Sequence, residues 1–168
     1  EKWHVTSHNR ANVIVVQARL ASGDHCLFFC PADSPGITIK RSPAYTHNYD
    51  HHHPILTFSN VRVEARNRIG AEGDGMGFTH AWFRRERLMI AARCCGAMER
   101  LIEEATDFAK TRVVSGEPIA NYQFIQGMLA DSAVDLQAAR LITYEAAAAH
   151  DRGDEVKALH ARCSIAKL

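Results

Sequence analysis

The chain has 168 residues, 46% hydrophobic and 23% charged, an ordinary globular composition that excludes disordered, collagen-like and low-complexity readings. Lys and Arg total 20 against 19 Asp and Glu, a formal net charge of +1, so no global field recommends nucleic acid or an anionic membrane, and any anion must meet a local site. The longest strongly apolar run, residues 13–16, is far too short to span a bilayer.

The first part of the chain is strand-like. Val13-Ile14-Val15-Val16-Gln17-Ala18, Cys26-Leu27-Phe28-Phe29, Gly36-Ile37-Thr38-Ile39 and Ile55-Leu56-Thr57-Phe58 are apolar runs separated by turn-rich segments such as Ala21-Ser22-Gly23-Asp24. Residues 64–77 carry glycines at 70, 73, 75 and 77, which predicts a flexible hinge. From Phe78 the period changes. Leu88, Ala91, Ala92, Cys95, Met98, Ile102, Ala105 and Ala109 recur every three or four residues and predict one long amphipathic helix ending near Val114. Gly116 then supplies a stop, and Pro118 suits the first turn of a second helix running to about His150 on a face that includes Phe124, Met128, Leu136, Thr143 and Tyr144. Gly153 breaks the chain again before a third helix over residues 155–168.

The fold class these elements predict is α+β: a partial antiparallel sheet or barrel lobe over residues 1–77, then an incomplete antiparallel helical bundle over residues 78–168. The sequence opens on Glu1 inside a strand-like run and closes inside a helical pattern, which predicts a piece of a longer protein. Cys26, Cys30, Cys94, Cys95 and Cys163 form an odd set without CxxC spacing. They predict small buried side chains in a reducing compartment, the cytoplasm or a mitochondrial matrix.

Four constellations could carry chemistry. Asp50-His51-His52-His53 has metal-ligand residue types, but adjacent side chains point apart and no HxxxH or CxxC supports them, so a polar loop is the favoured reading and no metal is expected. In Trp82-Phe83-Arg84-Arg85-Glu86-Arg87-Leu88, Glu86 is either a solvated helix carboxylate compensated by arginines or a general base near a cleft, with Arg87 fixing an anionic substrate. Arg112, in the last helical turn, either caps carbonyls or offers a guanidinium fork to a phosphate. Trp3-His4-Val5-Thr6-Ser7 either packs at a sheet edge or stacks a planar cofactor, with Thr6 bonding a ring nitrogen.

The order of these motifs is more specific than any one of them. Lys2-Trp3-His4-Val5-Thr6-Ser7, Pro35-Gly36-Ile37-Thr38, Asn60-Val61-Arg62-Val63, Gly70-Ala71-Glu72-Gly73-Asp74-Gly75-Met76-Gly77-Phe78, Glu86-Arg87-Leu88, Arg112-Val113-Val114-Ser115-Gly116-Glu117-Pro118-Ile119, Gln123 and Met128-Leu129-Ala130-Asp131 closely resemble the acyl-CoA dehydrogenase family along the whole chain. The resemblance implies the second half of the middle β domain and the first helices of the C-terminal domain. It implies FAD as cofactor and oxidation of acyl-CoA to trans-2-enoyl-CoA by the complete protein. It also implies a homo-oligomer, dimer or tetramer, that passes electrons to an electron-transferring flavoprotein. Residue by residue, Thr6 matches the hydroxyl that contacts the flavin ring, and Trp3 and His4 match aromatics along it. Arg112 matches an arginine reaching the FAD pyrophosphate of a neighbouring subunit, and Gln123 a polar contact to the same cofactor. Arg87 matches an arginine lining the acyl-CoA site, and Glu86 the catalytic glutamate in the E-R-L arrangement of isovaleryl- and long-chain-type enzymes.

Departures are visible. His4 stands where tryptophan is frequent, Ser115 replaces a common phenylalanine, and the T-E-P-G-x-G-S-D motif is absent, so this chain alone is expected to bind FAD poorly or not at all. The alternatives are a flavin oxidase or monooxygenase on the same scaffold, or a non-catalytic binding or assembly module.

Overall fold

The structure is a computed structural model that describes residues 1–46 and 52–168. Its contacts group the chain into two units, residues 1–79 and 80–168.

In the first unit, β1 (Val13–Arg19) pairs antiparallel with β2 (His25–Pro31), which also pairs with the short β5 (Arg68–Ile69). The tight turn between β1 and β2 closes through Gly23, whose φ of +96° lies in the left-handed region that glycine enters freely. The register puts Ile14 opposite Cys30 and Ala18 opposite Cys26. Strand side chains alternate, so one face buries Ile14, Cys26 and Cys30 while Val13, Val15 and Phe29 stand exposed on the other. A second sheet pairs β3 (Ile37–Arg41) with β4 (Ile55–Phe58), and its Pro54, Ile55 and Leu56 are buried.

The glycine-rich tail takes up regular structure over part of its length. Residues 65–67 form a 3-10 turn, β5 follows, and α1 (Gly75–Thr111) already contains Gly75 and Gly77. Gly75 is buried because helix and strand backbones meet there: a Cβ would lie 2.6 Å from the His25 carbonyl oxygen.

Beyond α1 comes a hairpin that helical periodicity hid. β6 (Val113–Val114) pairs with β7 (Glu117–Pro118) through Ser115 and Gly116, both at positive φ. Pro118 therefore ends a strand rather than opening a helix, and a 3-10 turn precedes α2 (Gln123–Arg152). Gly153 caps α2 at φ +70°, its N–H reaching the carbonyls of Ala149 and His150. α3 (Val156–Lys167) is N-capped by the Glu155 carboxylate, which accepts from the N–H groups of Lys157 and Ala158 and so sits below the usual carboxylate range.

Apart from Leu136 on α2 and Leu159 on α3, the buried helical core is made of small residues: Ala91, Cys95 and Ala109 on α1, Thr143, Ala146 and Ala149 on α2, and Cys163 on α3. Cys95 Sγ lies 3.7 Å from Thr143 Oγ1, which itself donates back to Ala139. Phe124, Met128 and Tyr144, expected on the packed face of α2, are exposed, as are Leu101, Phe108, Val134 and Leu141. Four of the five cysteines are buried and all are free thiols, while Cys94 is exposed. Among the described residues no helix is long and apolar enough to cross a membrane.

Candidate functional site

Residues 2–5 do not begin a regular strand. Lys2 and Leu56 exchange both backbone hydrogen bonds, Val5 N–H donates to the Pro54 carbonyl at 3.0 Å, and between these anchors His4 adopts φ +53°. Ser7 follows at φ +60° and leads into a 3-10 turn, His8–Arg10. Left-handed non-glycine residues of this kind persist only where surrounding contacts hold them, and they leave Trp3, His4, Thr6 and Ser7 exposed on one short segment. Trp3 Nε1 donates to Glu1, which also accepts from Lys40 at 2.7 Å; Lys40 and Trp3 hold the Glu1 carboxyl below its ordinary range.

The register just described brings the histidine run to this segment. Asp50 and His51 lie outside the described residues, but His53 Nδ1 is 3.1 Å from Thr6 Oγ1 and His52 Nε2 is 3.3 Å from Ser7 Oγ. The two imidazoles meet through His52 Nδ1 and His53 Nε2 at 2.9 Å. Tyr45 completes the cluster, bonding His4 Nδ1 through its hydroxyl and setting its ring edge-on to His53 at 5.1 Å between centroids. Among the described residues no group of three or more His, Cys, Asp or Glu side chains is placed to hold a metal. The chemistry of this donor set, exposed aromatic and hydroxyl side chains side by side, fits a planar ring bearing hydrogen-bond acceptors.

In the helical unit Glu86 sits on α1 about three turns from its start, half-buried, with no hydrogen bond or ion pair among the described residues. Arg87, half-buried beside it, lays its guanidinium over the Phe83 ring at 5.4 Å and donates from Nη1 to His160 Nε2 at 2.9 Å. His160, on α3, also meets the His80 ring edge-on at 5.8 Å. Burial first, then the charges of Arg87, His80 and Arg84, push the His160 pKa down, so the neutral ring is the natural acceptor for a guanidinium. Nearby Cys163 is pushed up by burial and stays a thiol. Neither Arg84 nor Arg87 has an ion-pair partner among the described residues, so two half-buried cations flank Glu86 in sequence with anion-binding capacity to spare. His160 escapes a reading of the sequence because it lies 73 residues from Arg87 and carries no motif of its own.

Arg112 and Gln123 stand at the other end of α1. The Arg112 backbone is tied on both sides, N–H to Phe108 and carbonyl from Ile119, and the Tyr122 hydroxyl fastens the hairpin by donating to Val114 at 2.8 Å. Both side chains are exposed, and Arg112 has no acidic partner among the described residues, which suits a phosphate or pyrophosphate. Arg112 follows directly on the last residue of α1, so it lies about 39 Å from Glu86 along the helix axis at 1.5 Å per residue. Glu86 and Arg87 thus share one turn of α1, whereas Arg112 follows the end of α1 and Gln123 opens α2.

The family model described as "Acyl-CoA dehydrogenase, C-terminal domain" matches residues 73–168, more than half of the chain. The acyl-CoA dehydrogenase of Bacillus subtilis is 35% identical over 156 residues, 90% of this chain and 41% of the relative. Butyryl-CoA dehydrogenase of Megasphaera elsdenii superposes with a TM-score of 0.85 at 27% identity, covering 98% of this chain and 43% of that one. The prolyl acyl carrier protein oxidase AnaB gives 0.87 at 25% identity, covering 98% and 44%. The chain spans about two fifths of the length of the curated relatives it matches.

Proposed function

Because the chain belongs to the acyl-CoA dehydrogenase family, we propose that the complete protein is an FAD-dependent oxidoreductase that converts an acyl-CoA thioester to the trans-2-enoyl-CoA. Residues 1–77 are assigned to the middle β domain and residues 78–168 to the C-terminal helical domain. The donor chemistry fits FAD: Trp3, His4 and Thr6 offer stacking and a hydroxyl to a ring, while Arg112 and Gln123 offer a guanidinium and an amide to a pyrophosphate. The 39 Å or so between Glu86 on α1 and Arg112 just past its end supports a site assembled from two copies, Arg112 serving a different copy's cofactor from the one Glu86 faces. The exposed apolar side chains Leu101, Phe108, Phe124 and Leu141 support such a homo-oligomer.

An α-proton of a thioester is a weak acid, so its removal needs a positioned base and donors for the enolate-like charge that develops. Glu86 is that base: its carboxylate takes the α-proton, and the freed C–H pair becomes the new double bond as the β-hydrogen leaves with its own pair. FAD, when bound, supplies the two-electron acceptor for that hydrogen. Arg87, oriented by His160 and Phe83, holds anionic charge of the substrate close to the reacting carbons. Electrons then leave to an electron-transferring flavoprotein.

The observation that carries this reading is a half-buried carboxylate free of any ion pair among the described residues, on a helix where Arg84 and Arg87 also lack an ion pair among the described residues. General base catalysis contributes about 10² to 10⁴-fold, so Glu86→Gln in the full-length protein is expected to slow anaerobic flavin reduction by acyl-CoA by at least about 10²-fold. Near-normal reduction would move the base elsewhere. The likeness to an acyl carrier protein oxidase supports a second reading, an oxidase. Fast reoxidation of the reduced flavin by air would select it, and slow reoxidation the dehydrogenase.

A further inference from the structure

The histidine run is the one sequence motif that the proposed reaction does not use, yet the structure attaches it to the candidate flavin segment. Backbone pairing explains why. Lys2 is matched to Leu56 and Val5 to Pro54, so residues 6–7 and 52–53, just beyond the last pair, are brought face to face. Ser7 Oγ, His52 Nε2, His52 Nδ1, His53 Nε2, His53 Nδ1 and Thr6 Oγ1 then follow one another through contacts of 3.3, 2.9 and 3.1 Å.

We propose that His52 and His53 form a directed hydrogen-bond relay from Ser7 to Thr6 that fixes the Thr6 hydroxyl as a donor toward the cofactor ring, which makes both histidines positioning residues. The inference deepens the proposed function and rests on its reading of Thr6 as a flavin contact.

The direction follows from counting protons. With one ring proton on each imidazole, the contacts from Ser7 through His52 and His53 to Thr6 admit two self-consistent arrangements. In one, Ser7 donates to His52 Nε2, His52 Nδ1–H to His53 Nε2 and His53 Nδ1–H to Thr6 Oγ1. Thr6 then accepts from the relay, and its own proton is available outward. In the other, every bond is reversed and the Thr6 proton points back at His53. The remaining acceptor for that proton among the described residues, the His4 carbonyl, is 3.5 Å away, too long to hold it. An acceptor arriving at Thr6 from outside therefore selects the first arrangement, switching both tautomers together. Without the relay an exposed threonine hydroxyl rotates among its partners, and the donor is no longer held in place before the ligand arrives. Tyr45 stiffens the same corner by bonding His4 Nδ1 through its hydroxyl.

The test uses the full-length holoenzyme reconstituted with FAD, reading the flavin visible absorbance bands and the anaerobic rate of flavin reduction by acyl-CoA. Thr6→Val is expected to shift the bands and slow reduction by up to about tenfold, the scale of one lost hydrogen bond. His53→Phe is expected to reproduce both changes, the double variant to add little to Thr6→Val alone, and His53→Asn, which keeps an N–H near the Nδ1 position, to restore most of the spectrum and rate. If His53→Phe does not fold, His52→Phe interrupts the relay one link away and carries the same expectation. A wild-type spectrum and rate in folded His53→Phe or His52→Phe, alongside a shifted Thr6→Val, overturns the relay and leaves the Thr6 contact standing. Additive effects in the double variant also overturn the relay. An unshifted Thr6→Val removes the flavin contact itself and the relay with it.

Discussion

Gly75→Ala asks whether the start of α1 is held by the contact between backbones. The added methyl would lie 2.6 Å from the His25 carbonyl oxygen, 2.7 Å from its carbon and 2.8 Å from the Cys26 nitrogen. That is about 0.8 Å short of ordinary contact, and every opposing atom is main chain, so no side chain can swing away. Nor can β2 recede, because Cys26 is 1% exposed and locked opposite Ala18 in the β1–β2 ladder. Overpacking of this kind costs about 1–3 kcal/mol, and the helix preference of alanine over glycine returns at most about 1 kcal/mol. With the full alanine gain the net loss is about 0–2 kcal/mol, and each 1 kcal/mol lowers the thermal midpoint of a unit of this size by about 4–8 °C. Gly77 is the internal comparison: it lies on the same helix with no heavy atom within 4 Å of a built Cβ, so Gly77→Ala keeps only the propensity gain and is expected to melt at or slightly above the parent. Differential scanning calorimetry of both variants of the complete protein measures the contrast. A Gly75→Ala protein as stable as Gly77→Ala would refute the argument from backbone approach.

Two further outcomes follow from the same geometry. Arg112→Ala in the complete protein is expected to weaken FAD binding by about 10- to 100-fold, the scale of a charged hydrogen bond to phosphate, measured by titrating apoprotein with FAD; unchanged affinity would return Arg112 to a capping role. For His160, burial with Arg87, His80 and Arg84 lowers the folded-state pKa below the unfolded value, so folding expels a proton. Its neutral form therefore gives full stability above the ordinary value of 6.5, and stability declines as pH falls from there toward the folded pKa. Its imidazole resonances should titrate below that value by NMR, and His160→Gln, which can still accept from Arg87, should flatten this part of the stability profile. A titration at or above 6.5 would contradict the placement.

Much of the architecture was written in local pattern. Alternation and turn residues located β1 to β4, and in β4 the run Ile55–Phe58 coincides with the strand observed. Helical spacing located α1, α2 and α3, and Gly153 marked a break that the structure realises as a left-handed cap. Local pattern misled where two rules competed. The four glycines suggested one irregular hinge segment, whereas two of them lie inside α1 and Gly75 there admits a neighbouring backbone. Pro118 suggested a helix start, but Ser115 and Gly116 turn the chain into a hairpin first.

The candidate residues divide in the same way. The sequence by itself determined the family, the types of group available and their order, since motif identity and periodicity are properties of neighbours along the chain. Only the tertiary structure decided that His53 meets Thr6, that His52 meets Ser7 and that Arg87 rests on His160, across separations of 47, 45 and 73 residues. Such meetings depend on the register of one segment against another, here the pairing of Lys2 with Leu56 and the packing of α3, and no short window of sequence encodes a register shared by two distant windows.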